Sequence, residues 1–86
     1  MKIRVIISGR NYNAAQAAPE HLVLPEGASL DDALAALARH LSNGDRLPEN
    51  CLVAVSGAHL GNLHSHRSRV LRDGDELLLF APIAGG

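Results

Sequence analysis

The chain opens on an alternation. Lys2 and Arg4 interleave with Ile3 and Val5, and the β-branched run continues to Ile7 before Ser8. A period of two in such residues predicts a half-buried strand over 2–8. Gly9-Arg10-Asn11-Tyr12-Asn13 reads as a turn, and 14–18 as a helical turn or loop that Pro19 stops. A short second strand is expected over 21–24, closed by the turn Pro25-Glu26-Gly27. The period then changes. Leu30, Ala33, Leu34, Leu37, Ala38 and Leu41 follow the i, i+3, i+4, i+7 spacing of one helical face. Ser29 suits the N-cap, Asp31 and Asp32 put negative charge in the first turn, and Arg39 and His40 put positive charge near the end. Asn43-Gly44 is the expected stop. A third strand follows over 51–55, then a turn at Ser56-Gly57-Ala58. Residues 60–69 show no clear period, Asp73-Gly74 is a turn, and 76–80 is the last strand. The apolar run from Leu77 to Phe80 predicts a strand covered on both faces, one of them by another protein.

The resulting order is strand, strand, helix, strand, irregular segment, strand. The first two strands are expected to form a hairpin, with the first and last strands adjacent at the centre of a mixed sheet. One amphipathic helix would cover one face of about four to five strands. That is an α+β roll of the β-grasp, ubiquitin-like kind. The folded domain is drawn at 1–80, with 81–86 expected as a flexible C-terminal tail ending in Gly85-Gly86.

Composition narrows the function. With 86 residues there is room for one domain and a modest core. The hydrophobic fraction is 47%, with one Phe, one Tyr and no Trp, so the core must be aliphatic. Net charge is −1 without a basic block, which argues against a nucleic-acid partner. The apolar runs are too short to span a bilayer, and the charged, alternating start is unlike a signal peptide, so no membrane association and a cytoplasmic location are expected. Cys51 is the only cysteine; its apolar neighbours Leu52 and Val53 mark it as an inert core thiol.

Candidate chemistry inside the domain is sparse. His59, His64 and His66 are close in sequence, and His64 and His66 would share a face on a strand, but no Cys or carboxylate pattern completes a metal site. A solvated loop is the plainer expectation, and no bound metal or cofactor is expected. Arg67, Arg69 and Arg72 form either a basic patch for an acidic partner or a solvated edge. Asp73, Asp75 and Glu76 fit turn formation and surface charge better than acid-base work. No serine lies in a G-x-S-x-G setting.

The terminal carboxylate is what remains. Glycine lacks a Cβ, so Gly85 and Gly86 can thread a narrow channel and present an unhindered carboxylate. Residues 81–86 would reach ~20 Å when extended. A carboxylate is a poor electrophile, but joining it to AMP supplies a leaving group. A sulfur nucleophile then yields a thiocarboxylate, and a lysine amine yields an isopeptide bond. Either route uses ATP on a partner enzyme and needs no catalytic side chain here.

These features resemble the MoaD/ThiS group of ubiquitin-like sulfur carriers over nearly the whole chain. The resemblance rests on Ile3-Arg4-Val5, on the helix from Ser29 to Leu37, and on Val53-Ala54-Val55-Ser56-Gly57. It rests most on Leu71-Arg72-Asp73-Gly74-Asp75-Glu76-Leu77 followed by Phe80-Ala81-Pro82-Ile83-Ala84-Gly85-Gly86. It implies a β-grasp fold and a Gly86 that a ubiquitin-activating-type enzyme adenylates before conversion to a thiocarboxylate. Phe80-x-Pro82 is most similar to the molybdopterin branch, whose tail enters the large subunit of molybdopterin synthase. The thiazole branch of thiamine synthesis, another sulfur-accepting synthase, a protein modifier and a non-covalent interaction module are the alternatives. Gly85 would give the slim approach, and Ala81, Pro82, Ile83 and Ala84 the tail's direction. Phe80 and Leu78 would anchor the partner, although Phe80 fits a core position equally well.

Overall fold

The computed structural model describes residues 1–9, 19–41 and 51–81. Residues 10–13 of the expected turn, the segment 14–18, the Asn43-Gly44 stop and the tail residues 82–86 lie outside the described residues. Among the described residues, five strands and one helix follow in the order β1 (Lys2–Gly9), β2 (His21–Val23), α1 (Leu30–His40), β3 (Leu52–Val55), β4 (Ala58–Asn62) and β5 (Glu76–Ala81). The sheet runs β2-β1-β5-β3-β4. β1 and β5 are parallel and central, and every other pairing is antiparallel. The expected β-grasp arrangement of a mixed sheet and one helix is the one observed.

Alternation decides which face carries the core. Ile3 and Val5 of β1, Val53 and Val55 of β3, and Leu77 and Leu79 of β5 are buried. They meet Leu30, Ala33, Ala36 and Leu37 of α1 in one cluster that also takes in Cys51 and Leu71. The buried helical stripe is centred between Ala33 and Leu37. Ala36 therefore falls inside it, and Ala38, expected there from its spacing, is exposed. The helix begins with a full capping box. Ser29 Oγ accepts from the Asp32 N–H at 3.2 Å, and Asp32 Oδ2 accepts from the Ser29 N–H at 2.9 Å. It ends earlier than the Asn43-Gly44 expectation, with Leu41 as its C-cap in extended conformation.

The irregular segment expected over 60–69 conceals a strand. Ser56 and Gly57, at φ 47° and 87°, form a two-residue turn that returns the chain along β3 as β4. A register shift between Val53 and Ala54 interrupts this pairing. Gly61 in β4 sits at φ +131°, where a Cβ would lie 2.5 Å from the Ser65 carbonyl oxygen. Only glycine lets the 62–66 turn fold back this closely, with the Ser65 N–H donating to Asn62 Oδ1 at 2.7 Å.

Candidate functional site

The Asp73-Gly74-Asp75-Glu76 turn aligns the two central strands. Asp73 Oδ1 accepts from the Lys2 N–H at 2.7 Å, and the Gly74 N–H donates to the Lys2 carbonyl at 2.9 Å. Asp75 Oδ2 accepts from the Arg72 N–H at 2.8 Å, while Ser56 Oγ donates to Asp75 Oδ1 at 2.7 Å. Partial burial acts to raise the Asp75 pKa. The bonds from Arg72 and Ser56 and the charges of Arg69 and Arg72 outweigh it, leaving the carboxyl below its ordinary value. These carboxylates are structural, as expected for a turn.

With the strands so aligned, β5 delivers the chain to the tail. Ala81, assigned to the tail from sequence, is the last residue of β5, pairs with Gly9, and is 2% exposed. Pro82, Ile83, Ala84, Gly85 and Gly86 lie outside the described residues. The face of β5 opposite α1 carries Leu78 and Phe80. This is the face expected to be covered by another protein, and in the chain alone Phe80 is 39% exposed and Leu78 half-buried. Phe80 is thus no core residue: its parity puts it on the face α1 does not reach.

Register builds a surface around these two. Ser8, Phe80 and Leu52 form one cross-strand row, and Ile6, Leu78 and Ala54 the next. Arg4 and Glu76 form a third, their charged groups 3.9 Å apart. Beyond this pair along β5 come Ile6, Leu78 and Ala54, then Phe80 and Leu52 with Ser8 at the row's end, and Leu52 is 36% exposed beside Phe80. Sequence reading picked Leu78 and Phe80 and missed Ile6, Leu52 and Ala54. The signal was available, since each alternates with a buried β1 or β3 neighbour; what was missing was the knowledge of which face α1 covers.

The histidines do not converge. His59 faces Ala54 from β4, and His64 is exposed. His66, expected in a solvated loop, instead has a side chain only 13% exposed. Its Nδ1 donates to the Asn62 carbonyl at 3.0 Å and its Nε2 to Asp31 Oδ1 at 2.7 Å. Two acceptors facing both ring nitrogens favour the imidazolium. The Asp31 bond foremost raises the His66 pKa, and the same bond lowers that of Asp31. Of the three arginines that follow, Arg69 is half-buried, Arg67 and Arg72 are exposed, and the charges of Arg69 and Arg72 both act on Asp75. Among the described residues, no three His, Cys, Asp or Glu side chains are grouped to hold a metal ion. Cys51 is buried in the core. No helix among the described residues is long and apolar enough to cross a membrane.

A roll of this topology, with an apolar face beside a strand that leads into a Gly-Gly tail, defines a β-grasp protein of the ubiquitin-like class. The chain belongs to the ThiS family, whose profile matches residues 5–86. It is 33% identical over a 91-residue alignment to a protein of Archaeoglobus fulgidus described as uncharacterized, with both chains fully covered. The crystal structure of SAMP1 from Haloferax volcanii superposes with a TM-score of 0.70 at 20% identity over all of both chains. A second structure of H. volcanii small archaeal modifier protein 1 gives 0.63 at 19% identity, covering 95% of this chain and 98% of that one. These likenesses agree with the fold derived above.

Proposed function

We propose that this protein is a sulfur carrier whose Gly86 carboxylate is the reacting group. The observation that carries the reading is that the ThiS family match extends to Gly86 itself. The open face formed by Ile6, Leu52, Leu78 and Phe80 supports it, as a partner surface continuous with the strand that feeds the tail. A ubiquitin-activating-type enzyme docks on this face. The carboxylate oxygen attacks the α-phosphorus of ATP, pyrophosphate leaves, and an acyl-adenylate forms. A sulfide-level nucleophile then attacks the Gly86 carbonyl carbon. AMP departs with the bonding pair, leaving a thiocarboxylate. The acceptor is molybdopterin precursor on the large subunit of molybdopterin synthase, a reading supported by Phe80-x-Pro82 before the glycines. A thiazole or other sulfur-accepting synthase is the alternative partner. ATP is used on the activating enzyme, and the location is cytoplasmic.

Intact-mass measurement tests this. The protein is incubated with ATP, a sulfur donor and the host's adenylating enzyme, and replacement of one oxygen by sulfur at Gly86 is the expected result. An unchanged mass, with the enzyme active on its own known carrier, would sink the proposal. A second reading has one observation behind it: the superposed H. volcanii protein is described as a small archaeal modifier. In that role a lysine amine would displace AMP from the same adenylate. Covalent adducts in cell extract that depend on Gly86 would identify it.

A further inference from the structure

The chain that leaves β4 runs from one outer edge of the sheet to the start of α1 with little buried along it. Leu63, half-buried, and Leu71, buried, hold its two ends, and no side chain from His64 to Val70 is fully buried. A segment with so few buried apolar contacts opens at lower cost than the core. Its attachments are polar. The Asn62 N–H donates to the Ser65 carbonyl and the Arg67 N–H to the Leu60 carbonyl, both at 2.9 Å, and Gly61 and His66 form an antiparallel bridge. Residues 65–67 therefore lie along β4 and cover its backbone groups. At the far end this strap is tied to α1, where the Leu30 N–H donates to the Arg69 carbonyl at 2.8 Å.

One side chain joins the strap to both neighbours. His66 donates from Nδ1 to the Asn62 carbonyl of β4 at 3.0 Å and from Nε2 to Asp31 Oδ1 of α1 at 2.7 Å. Its backbone comes this close to β4 because Gly61 has no Cβ, which would lie 2.8 Å from His66 Cα. Asp31 is the charged group that meets the ring from α1, while Asp32 is committed to the Ser29 N–H. β4 presents the uncharged Asn62 carbonyl, and on the strap itself His64 and Arg67 lie close in sequence and are exposed. Both ring nitrogens face acceptors, so the two bonds together require a proton on each nitrogen. Losing one proton sets a lone pair against an oxygen and breaks one of the two bonds.

We propose that residues 63–70 form a strap that opens as a unit, separately from the sheet, and that the His66–Asp31 contact is the proton-dependent latch that keeps it closed. Opening frees the Leu60 carbonyl and the Asn62 N–H and so bares the edge of β4. The Asp31 bond foremost raises the folded pKa of His66. Closure is therefore favoured below the ordinary histidine value and weakens as pH rises through the folded one. With Asp31 largely exposed to solvent, the latch changes the opening equilibrium about fivefold. The strap works independently of the Gly86 chemistry.

The test is hydrogen–deuterium exchange of the full chain, resolved to single amides and corrected for the intrinsic rate, at about pH 5.5 and about pH 9. The Ser65 and Arg67 amides and the Leu30 amide that bonds to the strap are expected to share one protection, lower than that of the β1–β5 ladder. That shared protection should fall about fivefold from the lower pH to the higher. In His66→Gln, and separately in Asp31→Asn, it should stay near the parent's high-pH value at both pH values. Retained protection of the β1–β5 ladder shows that each variant is folded. Strap amides as protected as the ladder would mean that the segment opens only when the whole domain unfolds, and would overturn the proposal. So would unequal protection among the three amides, a parent insensitive to pH, or a pH dependence that survives in both variants.

Discussion

The contact between His66 and Asp31 allows a quantitative test of how the chain closes over its helix. His66 reaches 35 residues back to Asp31, in the first turn of α1. The clasp is reinforced by the Leu30 N–H donating to the Arg69 carbonyl and the Leu71 N–H to the Ala28 carbonyl, both at 2.8 Å. A hydrogen bond involving a charged group contributes roughly 1.5–3 kcal/mol. The Asp31 side chain is 63% exposed, so solvent screening brings the coupling to about 1 kcal/mol. Single substitutions overstate it. Asp31→Asn also removes a favourable charge at a helix N-terminus, and His66→Ala also removes packing and the bond to Asn62. The double-mutant cycle over the two positions cancels those contributions.

The pH dependence carries the sign. The folded pKa of His66 is raised, so its contribution is fully present below the ordinary histidine value and is lost as pH rises through the folded one. That of Asp31 is lowered, so its contribution is present above the ordinary carboxyl value and is lost as pH falls through the folded one. The coupling is therefore largest between the two ordinary values. Urea melts of the parent, both single variants and the double variant should give about 1 kcal/mol at about pH 5.5, and near zero at about pH 9. In thermal melts, that corresponds to about 4–8 °C for a domain of this size. A coupling that is absent at the lower pH, or that survives unchanged at the higher one, would refute the ionised clasp.

Four further outcomes are expected. Gly61→Ala places a Cβ 2.5 Å from the Ser65 oxygen and 2.8 Å from His66 Cα, both backbone atoms, and should destabilise by about 2–4 kcal/mol in urea melts. Gly57→Ala meets open space and should cost only about 1–2 kcal/mol, from its positive φ alone. Phe80→Ala should change stability by about 1 kcal/mol or less, since Phe80 stands outside the core, but raise the KM for adenylation about 30-fold as a lost interface anchor. An unaltered KM would remove Phe80 from the docking face. Deleting Gly86 should leave the melting curve unchanged and abolish thiocarboxylate formation, as read by intact mass; normal formation would show that the reacting group lies elsewhere.

Much of this protein was legible along the chain because the governing interactions are local. The capped helix follows from Ser29 and its 3.6-residue stripe, the Asp73–Glu76 turn from its residues, and the centrality of β1 and β5 from their apolar runs. Membership of the ThiS family was legible because the Asp73–Glu76 turn, the last strand and the glycine pair that carry the resemblance lie together in sequence. What the tertiary structure decided depends on pairing between distant segments. β4 escaped detection because Leu60 is the one large apolar residue in its five and Gly61 lies inside it; the strand exists because the Ser56-Gly57 turn presents it to β3. Phe80 was ambiguous because an apolar run is the same whether one face of a strand is covered or two. The presence of α1 on a single face resolved it, and cross-strand register alone brought Ile6 and Leu52 to its side. The same holds for His66, whose partner lies 35 residues away and whose role arises only when the chain folds back over the start of the helix.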